Sequence, residues 1–210
     1  MVVVQKLDAL IQNIQSTDHA ALFYETQESK RNFLFKFIAN GLLRNKGCMY
    51  ICSEETPEQI RHGMVSYGIN IEDEERAGKL IIFSCDEFYI EKGRAEPIKI
   101  IAMWNDIYEQ FEEKGWGMRV TGETSCFFKH NHVRELLRYE YALHRILYIP
   151  MDAICAFDLK TIVEMGYTDL IMPIIRAHGY AFFTGPSGII RLEPENVEDT
   201  DVEKLLDIKI

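Results

Sequence analysis

No window of the 210-residue chain approaches the roughly 18 consecutive apolar residues that a membrane span needs, so no spanning helix is expected. Val2, Val3, Val4, Leu7, Leu10, Ile11 and Ile14 make the start of the chain partly apolar. Lys6, Asp8 and glutamines interrupt them, and no basic segment leads into a continuous apolar run, so they do not read as a signal peptide. Positive charge is also scarce: 23 Lys and Arg against 33 Asp and Glu give a formal charge of −10, a field that repels polyanions. Direct nucleic-acid binding and a membrane partner are therefore not expected. The five cysteines, at 48, 52, 85, 126 and 155, include no CxxC pair, and their odd number suits reduced thiols in a cytoplasmic protein better than a disulfide framework. Cys48 and Cys52 fall on one predicted strand, about 13 Å apart at ~3.3 Å per residue. They cannot share a metal, and no metal ligand set is assigned. GxxxxGK[ST] and GxSxG are both missing, which removes the usual phosphate cradle and the nucleophile elbow. Cys85, Cys126 and several histidines leave hydrolase chemistry a minor alternative.

What is present suits one well-buried domain, with 47% apolar residues. Short runs rich in β-branched and aromatic residues alternate with segments of helical period, the pattern of a mostly parallel α/β sheet covered by helices. Strands are predicted at 20–24, 48–53, 79–84, 117–122, 152–158 and 179–184. A last strand at 188–192 follows the Gly185-Pro186-Ser187 turn and makes a C-terminal β-hairpin. Phe33, Phe37, Ile38 and Leu42 stripe the first long helix, which should end near Asn45-Lys46-Gly47. Thr56-Pro57-Glu58-Gln59 is a capping signature with proline at the first helical position. The expected organisation is an N-terminal helix within residues 1–18, the α/β domain over 19–194 and an acidic tail over 195–210. Leu7, Leu10, Ile11 and Ile14 share a helical face that packs on the domain or on a second copy, and self-association is expected.

In open parallel sheets, ligands bind beyond the carboxyl ends of the strands. Glu25, Glu54, Glu55, Asp86, Glu87, Glu123 and Asp158 follow the predicted strands, so that rim should be acidic. Such a rim binds a divalent metal or a cationic or polyhydroxylated ligand, or it caps the helices that follow. Tyr24 ends the first strand and can lean over the rim. The turn after it, Glu25-Thr26-Gln27-Glu28-Ser29-Lys30-Arg31-Asn32, holds no glycine, and two carboxylates stand where a nucleotide-binding helix would receive an anion. Lys30 and Arg31 keep a weaker anion-binding reading alive beside that of a solvated first turn. On the helix at 132–147, Glu140 and His144 fall one turn apart on the apolar face of Val133, Leu136 and Leu137. A buried carboxylate needs a partner, so Glu140 either locks the helix to the sheet or projects into a ligand cavity. Glu123 and Glu140 are expected to border the same cavity. His19, His144 and His178 are candidates for supporting positions, His19 at the sheet edge opposite the crevice.

Residues 19–43 (HAALFYETQESKRNFLFKFIANGLL), followed by CMYICSEE, resemble the first half of a KaiC/RecA-like domain, where a strand, a phosphate-binding loop and a helix lead to a strand ending in paired glutamates. The chain is similar over almost its whole length to the DcmR-type sensory domain of methanogens and methylotrophs, the MEDS domain. The matching stretches are His19 with Leu22-Phe23-Tyr24, Thr56-Pro57-Glu58, residues 118–123, Tyr139-Glu140, residues 153–159, and residues 175–180 with His178. That resemblance implies a RecA-like fold used for signal sensing, with a small organic molecule rather than hydrolysed ATP as ligand. It also implies that Glu123 takes the position at which KaiC-like ATPases hold magnesium. The expected partners are that small organic molecule and a regulatory protein that receives the signal; no cofactor is identified. The rival readings are a divergent ATPase, with Glu54, Glu55 and Glu123 handling metal and water, and a structural assembly subunit.

Overall fold

The computed structural model describes residues 7–14, 19–145 and 148–192, the side chains of residues 144 and 145 excepted. In chain order the elements are Leu7–Gln12 (α1), His19–Tyr24 (β1), Gln27–Leu43 (α2), Lys46–Cys52 (β2), Pro57–Tyr67 (α3), Ile71–Arg76 (α4), Leu80–Ser84 (β3), Cys85–Tyr89 (α5) and Pro97–Glu112 (α6). They continue with Gly117–Glu123 (β4), Ser125–Lys129 (α7), Val133–Arg145 (α8), Met151–Asp158 (β5), Leu159–Glu164 (α9), Ile171–Arg176 (α10), Tyr180–Gly185 (β6) and Gly188–Leu192 (β7). Each expected strand is found, with boundaries within two residues of those read from the sequence.

The seven strands form one sheet in the order β3-β2-β4-β5-β1-β6-β7, parallel throughout except for the β6–β7 hairpin. Helices cover both faces, so the central strands are buried along their length and their apolar runs do not alternate with polar residues. Leu22, Tyr24, Cys48, Tyr50 and Ala156 face a core completed by Leu10, Ile11, Phe33, Phe37, Ile60 and Met64. Ala21, Phe23, Met49, Val120, Cys155 and Phe157 face the other, completed by Trp104, Phe111, Phe127, Leu136 and Tyr139.

On three points the structure decides between alternatives, refines an expectation or corrects one. Leu10, Ile11 and Ile14 are buried within their own chain, where α1 lies on α2, so these three need no second copy to cover them. Cys85 and Cys126 are joined in a disulfide, leaving free thiols at Cys48, Cys52 and Cys155. The turn after α2 is made by Asn45, whose φ of 57° is left-handed, while Gly47 already belongs to β2. Glycine is needed at 47 for another reason: a Cβ there would stand 2.4 Å from Cγ of the Phe111 ring. Val2, Val3 and Val4 and the acidic tail lie outside the described residues. Among the described residues, no helix is long and apolar enough to cross a membrane.

Candidate functional site

The carboxyl edge of the sheet is where the sequence places most of its candidates, and β1, β2, β4 and β5 deliver Tyr24, Glu25, Glu54, Glu55, Glu123 and Asp158 there. Only Glu25 and Thr26 separate β1 from α2. Thr26 closes a capping box: the Ser29 amide donates to Thr26 Oγ1 at 3.2 Å, and the Thr26 amide faces Ser29 Oγ at 3.4 Å. A two-residue connection has no room for a ring of amides around a phosphate, and the helix already satisfies its first turn with its own side chains.

Lys30 is fully buried, contrary to the expected solvated first turn. Its ammonium stands 2.7 Å from Glu123, 3.0 Å from Glu54 and 3.4 Å from Glu55, and lies 5.5 Å from the centre of the Tyr24 ring. Burial works to lower the lysine pKa, but Glu123 and Glu54 outweigh it and hold it above its ordinary value. Glu123 also receives hydrogen bonds from Tyr50 Oη at 2.6 Å and from the amides of Ser53 at 2.7 Å and Glu54 at 3.1 Å. Full burial, then the adjacent Glu54, push the Glu123 carboxyl up to about 8. At Glu54 burial also works upward, but a hydrogen bond with Glu123 and the charge of Lys30 win and hold that carboxyl at about 2. The two therefore titrate as a pair that keeps one proton into the neutral range. Glu55 is paired with Arg31 through two nitrogens, and its carboxyl is held low. Around this cluster Tyr24 Oη, Ser53 Oγ, Glu54 Oε1, Thr121 Oγ1 and Ser125 Oγ are buried and make no hydrogen bond among the described residues.

Other rim acids serve as caps. Asp158 accepts from the Lys160 amide at 3.0 Å and from Thr161 Oγ1 at 2.7 Å, and Glu87 closes a capping box with Ser84. Glu25 instead lines a cavity of about 280 Å³ with Leu159, Phe183, Thr184, Gly185, Ile189 and Ile190. Its carboxylate lies so close to Gly185 that a Cβ there would come within 2.4 Å of Oε2. A second, wider groove of about 610 Å³ runs between α2 and α3, past Arg31, Phe35, His62 and Tyr67.

Glu140 does not join this edge. Alternation along β4 puts Glu123 on the α2 face with Tyr50, whereas α8 covers the opposite face, so the sheet separates the two acids and they share no cavity. Glu140 is fully buried, with Oε2 at 3.3 Å from both His19 Nε2 and His178 Nε2. Burial pulls its carboxyl up, and His178 and His19 outweigh it, holding the group at about 2. His19 begins β1 on that same face, 3.2 Å from Cys155 Sγ. The side chain of His144 lies outside the described residues.

Tyr50 and Cys155 are central to these two clusters and were not singled out by the sequence. Their signal was alternation: Tyr50 shares a strand face with the residue before Ser53-Glu54-Glu55, and Cys155 lies two registers beyond the partner of His19. Lys30 also had a signal, since the Phe33, Phe37 stripe extended one turn back lands on it.

The model of MEDS, the methanogen/methylotroph DcmR sensory domain, matches residues 18–178. No match was found among curated proteins. Among solved structures, a KaiC-like protein from the hyperthermophilic archaeon Pyrococcus horikoshii is similar at a TM-score of 0.57 and 15% identity, over 84% of this chain and 76% of that one. The flagellar accessory protein FlaH from Methanocaldococcus jannaschii is similar at 0.59 and 12% identity, over 87% and 78%. At these identities the likeness is one of fold.

Proposed function

This chain belongs to the MEDS family of sensory domains, and from that premise we propose that it binds a small organic molecule at the carboxyl edge of a KaiC-like sheet and passes its bound state to a partner protein, without turning over nucleotide. One observation carries the reading. Lys30, in the first turn of α2, is already occupied by Glu54, Glu55 and Glu123, so the charge that would receive a triphosphate is spent inside the protein. A triphosphate brought to that spot would meet two or three carboxylates in a buried setting, where like charges repel strongly. The space beside it is of another kind: 280 Å³ walled by Phe183, Leu159, Ile189 and Ile190, with the Glu25 carboxylate as its charged group. That size is below what a drug-sized ligand needs. It suits a short apolar body carrying an ammonium or hydroxyl head.

The test is a thermal-shift screen of small amines and alcohols, together with calorimetric titration of magnesium-ATP. A matching probe at about 100 times its Kd should stabilise the parent by about 2.7 kcal/mol, and Glu25→Ala should abolish the shift. Magnesium-ATP should give no heat. Micromolar ATP binding with hydrolysis would instead establish the divergent ATPase, and a hit that stabilises parent and Glu25→Ala equally would remove the assignment of this cavity.

A further inference from the structure

Behind the sheet, on the face away from the Lys30 cluster, four side chains from four separate elements converge. His19 comes from the start of β1, Cys155 from the neighbouring β5, Glu140 from α8 across the face, and His178 from the turn before β6. They stand 8%, 4%, 0% and 2% exposed, and one donor atom of each lies within 4.8 Å of all the others. We propose that His19, Glu140, Cys155 and His178 bind one divalent transition-metal ion, with zinc the best fit. This site is independent of the ligand cavity at the carboxyl edge.

The spacings fit the donor shell of a metal ion. Two imidazole nitrogens stand 3.3 Å from Glu140 Oε2, and one stands 3.2 Å from Cys155 Sγ. Ligands held tetrahedrally at about 2.0–2.3 Å from zinc are separated by about 3.3–3.7 Å, so these three of the six donor separations already match such a shell and the rest stay within 4.8 Å. Glu140 Oε1 and Oε2 and His178 Nε2 are buried and make no hydrogen bond among the described residues. The tautomer of His178 agrees. Its Nδ1 stands 2.7 Å from the carbonyl of Ile174, which can only accept, so Nδ1 carries a hydrogen and Nε2 is the nitrogen left to present a lone pair when the ring is neutral. In that neutral tautomer the lone pair faces a carboxylate across 3.3 Å, so a cation, either a second proton on the ring or a metal ion, stands between the two. A backbone carbonyl holding the far nitrogen is also how metal-bound histidines are commonly oriented.

Donor chemistry narrows the ion. Two imidazoles, one thiolate and one carboxylate suit zinc, cobalt or ferrous iron and not magnesium or calcium, which take oxygen shells. On binding, the Cys155 thiol releases its proton to solvent as the sulfur–metal bond forms. The thiolate and carboxylate then balance the two positive charges, leaving a buried site that is neutral overall. With four protein donors the shell is closed, and the ion would tie β1, β5, α8 and the loop before β6 together.

The protein, stripped with chelator under reducing conditions, would be titrated with zinc against a chromophoric competitor and then with cobalt, following absorbance. The expected result is one equivalent per chain, with the visible bands of tetrahedral cobalt and a near-ultraviolet thiolate-to-cobalt band. Cys155→Ser should lose the thiolate band, and His178→Gln should weaken zinc binding by at least tenfold; circular dichroism of both variants reports whether they fold. His130 and Asp86 form an exposed pair 2.8 Å apart, so His130→Ala is the control and should change nothing. Absence of binding, a sulfur-free octahedral cobalt spectrum, or binding that survives in folded Cys155→Ser and His178→Gln but falls in His130→Ala would each overturn the site.

Discussion

Glu123 shows what burial does to a single residue. It ends a strand, as the acidic rim predicts, yet it faces inward and is surrounded by Lys30, Glu54, Tyr50 and Tyr24 on the α2 face of the sheet. Its carboxyl stands at about 8 against an ordinary 4.5 because of burial and then Glu54, with Lys30 opposing. The folded chain thus holds a proton that the unfolded chain has released, and this contributes stability in full below the unfolded pKa that is lost as pH rises towards the folded one. Stability of the parent should therefore decline between about pH 5 and pH 8 relative to Glu123→Gln, by an amount on the order of a few kcal/mol. Urea denaturation of both proteins across that range measures it. Parallel pH profiles would show that the retained proton is not tied to this carboxyl.

At the scale of elements, local chemistry and packing divide the work. The α3 start was legible because Thr56, Pro57 and Gln59 state it outright, and the structure has the capping box with proline in the first turn. The β2 start was less legible, since Gly47 reads equally as a helix terminator and as a strand residue. What decides it is the ring of Phe111 on α6, which lies over the Gly47 position and leaves no space for a side chain. Gly47→Ala should accordingly destabilise the protein by about 1–3 kcal/mol through overpacking, read as a lower midpoint in chemical denaturation with an unchanged slope. A neutral outcome would mean that the α6–β2 contact yields easily.

For the whole molecule, the bond between Cys85 and Cys126 joins α5 to α7 across 41 residues of sequence. Closing a loop of that length restricts the unfolded chain by about 4 kcal/mol in the chain-entropy account. The double variant Cys85→Ser, Cys126→Ser should unfold at lower denaturant than the oxidised parent and match the parent once the latter is reduced. Equal stability of oxidised parent and double variant would show that the bridge constrains little. Mass by light scattering bears separately on self-association, which stays a proposal now that Leu10, Ile11 and Ile14 are covered by their own domain.

Sequence alone determined the seven strands and the longer helices, the parallel α/β class with its terminal hairpin, and the acidic carboxyl edge, because period, capping and strand-end residues are local properties of the chain. It also determined that no glycine-rich loop follows β1. The tertiary structure decided which acids meet. Sheet order places β4 between β2 and β5, so Glu123 reaches Tyr50 and Lys30, while the period-two alternation of a strand sends His19 and Cys155 to the opposite face. Glu140 and Glu123 looked like neighbours because only sixteen residues of turn and helix separate them. Once the sheet closes, they stand on its two sides, and the partners of each come from segments far away in sequence that only packing brings within a few ångströms.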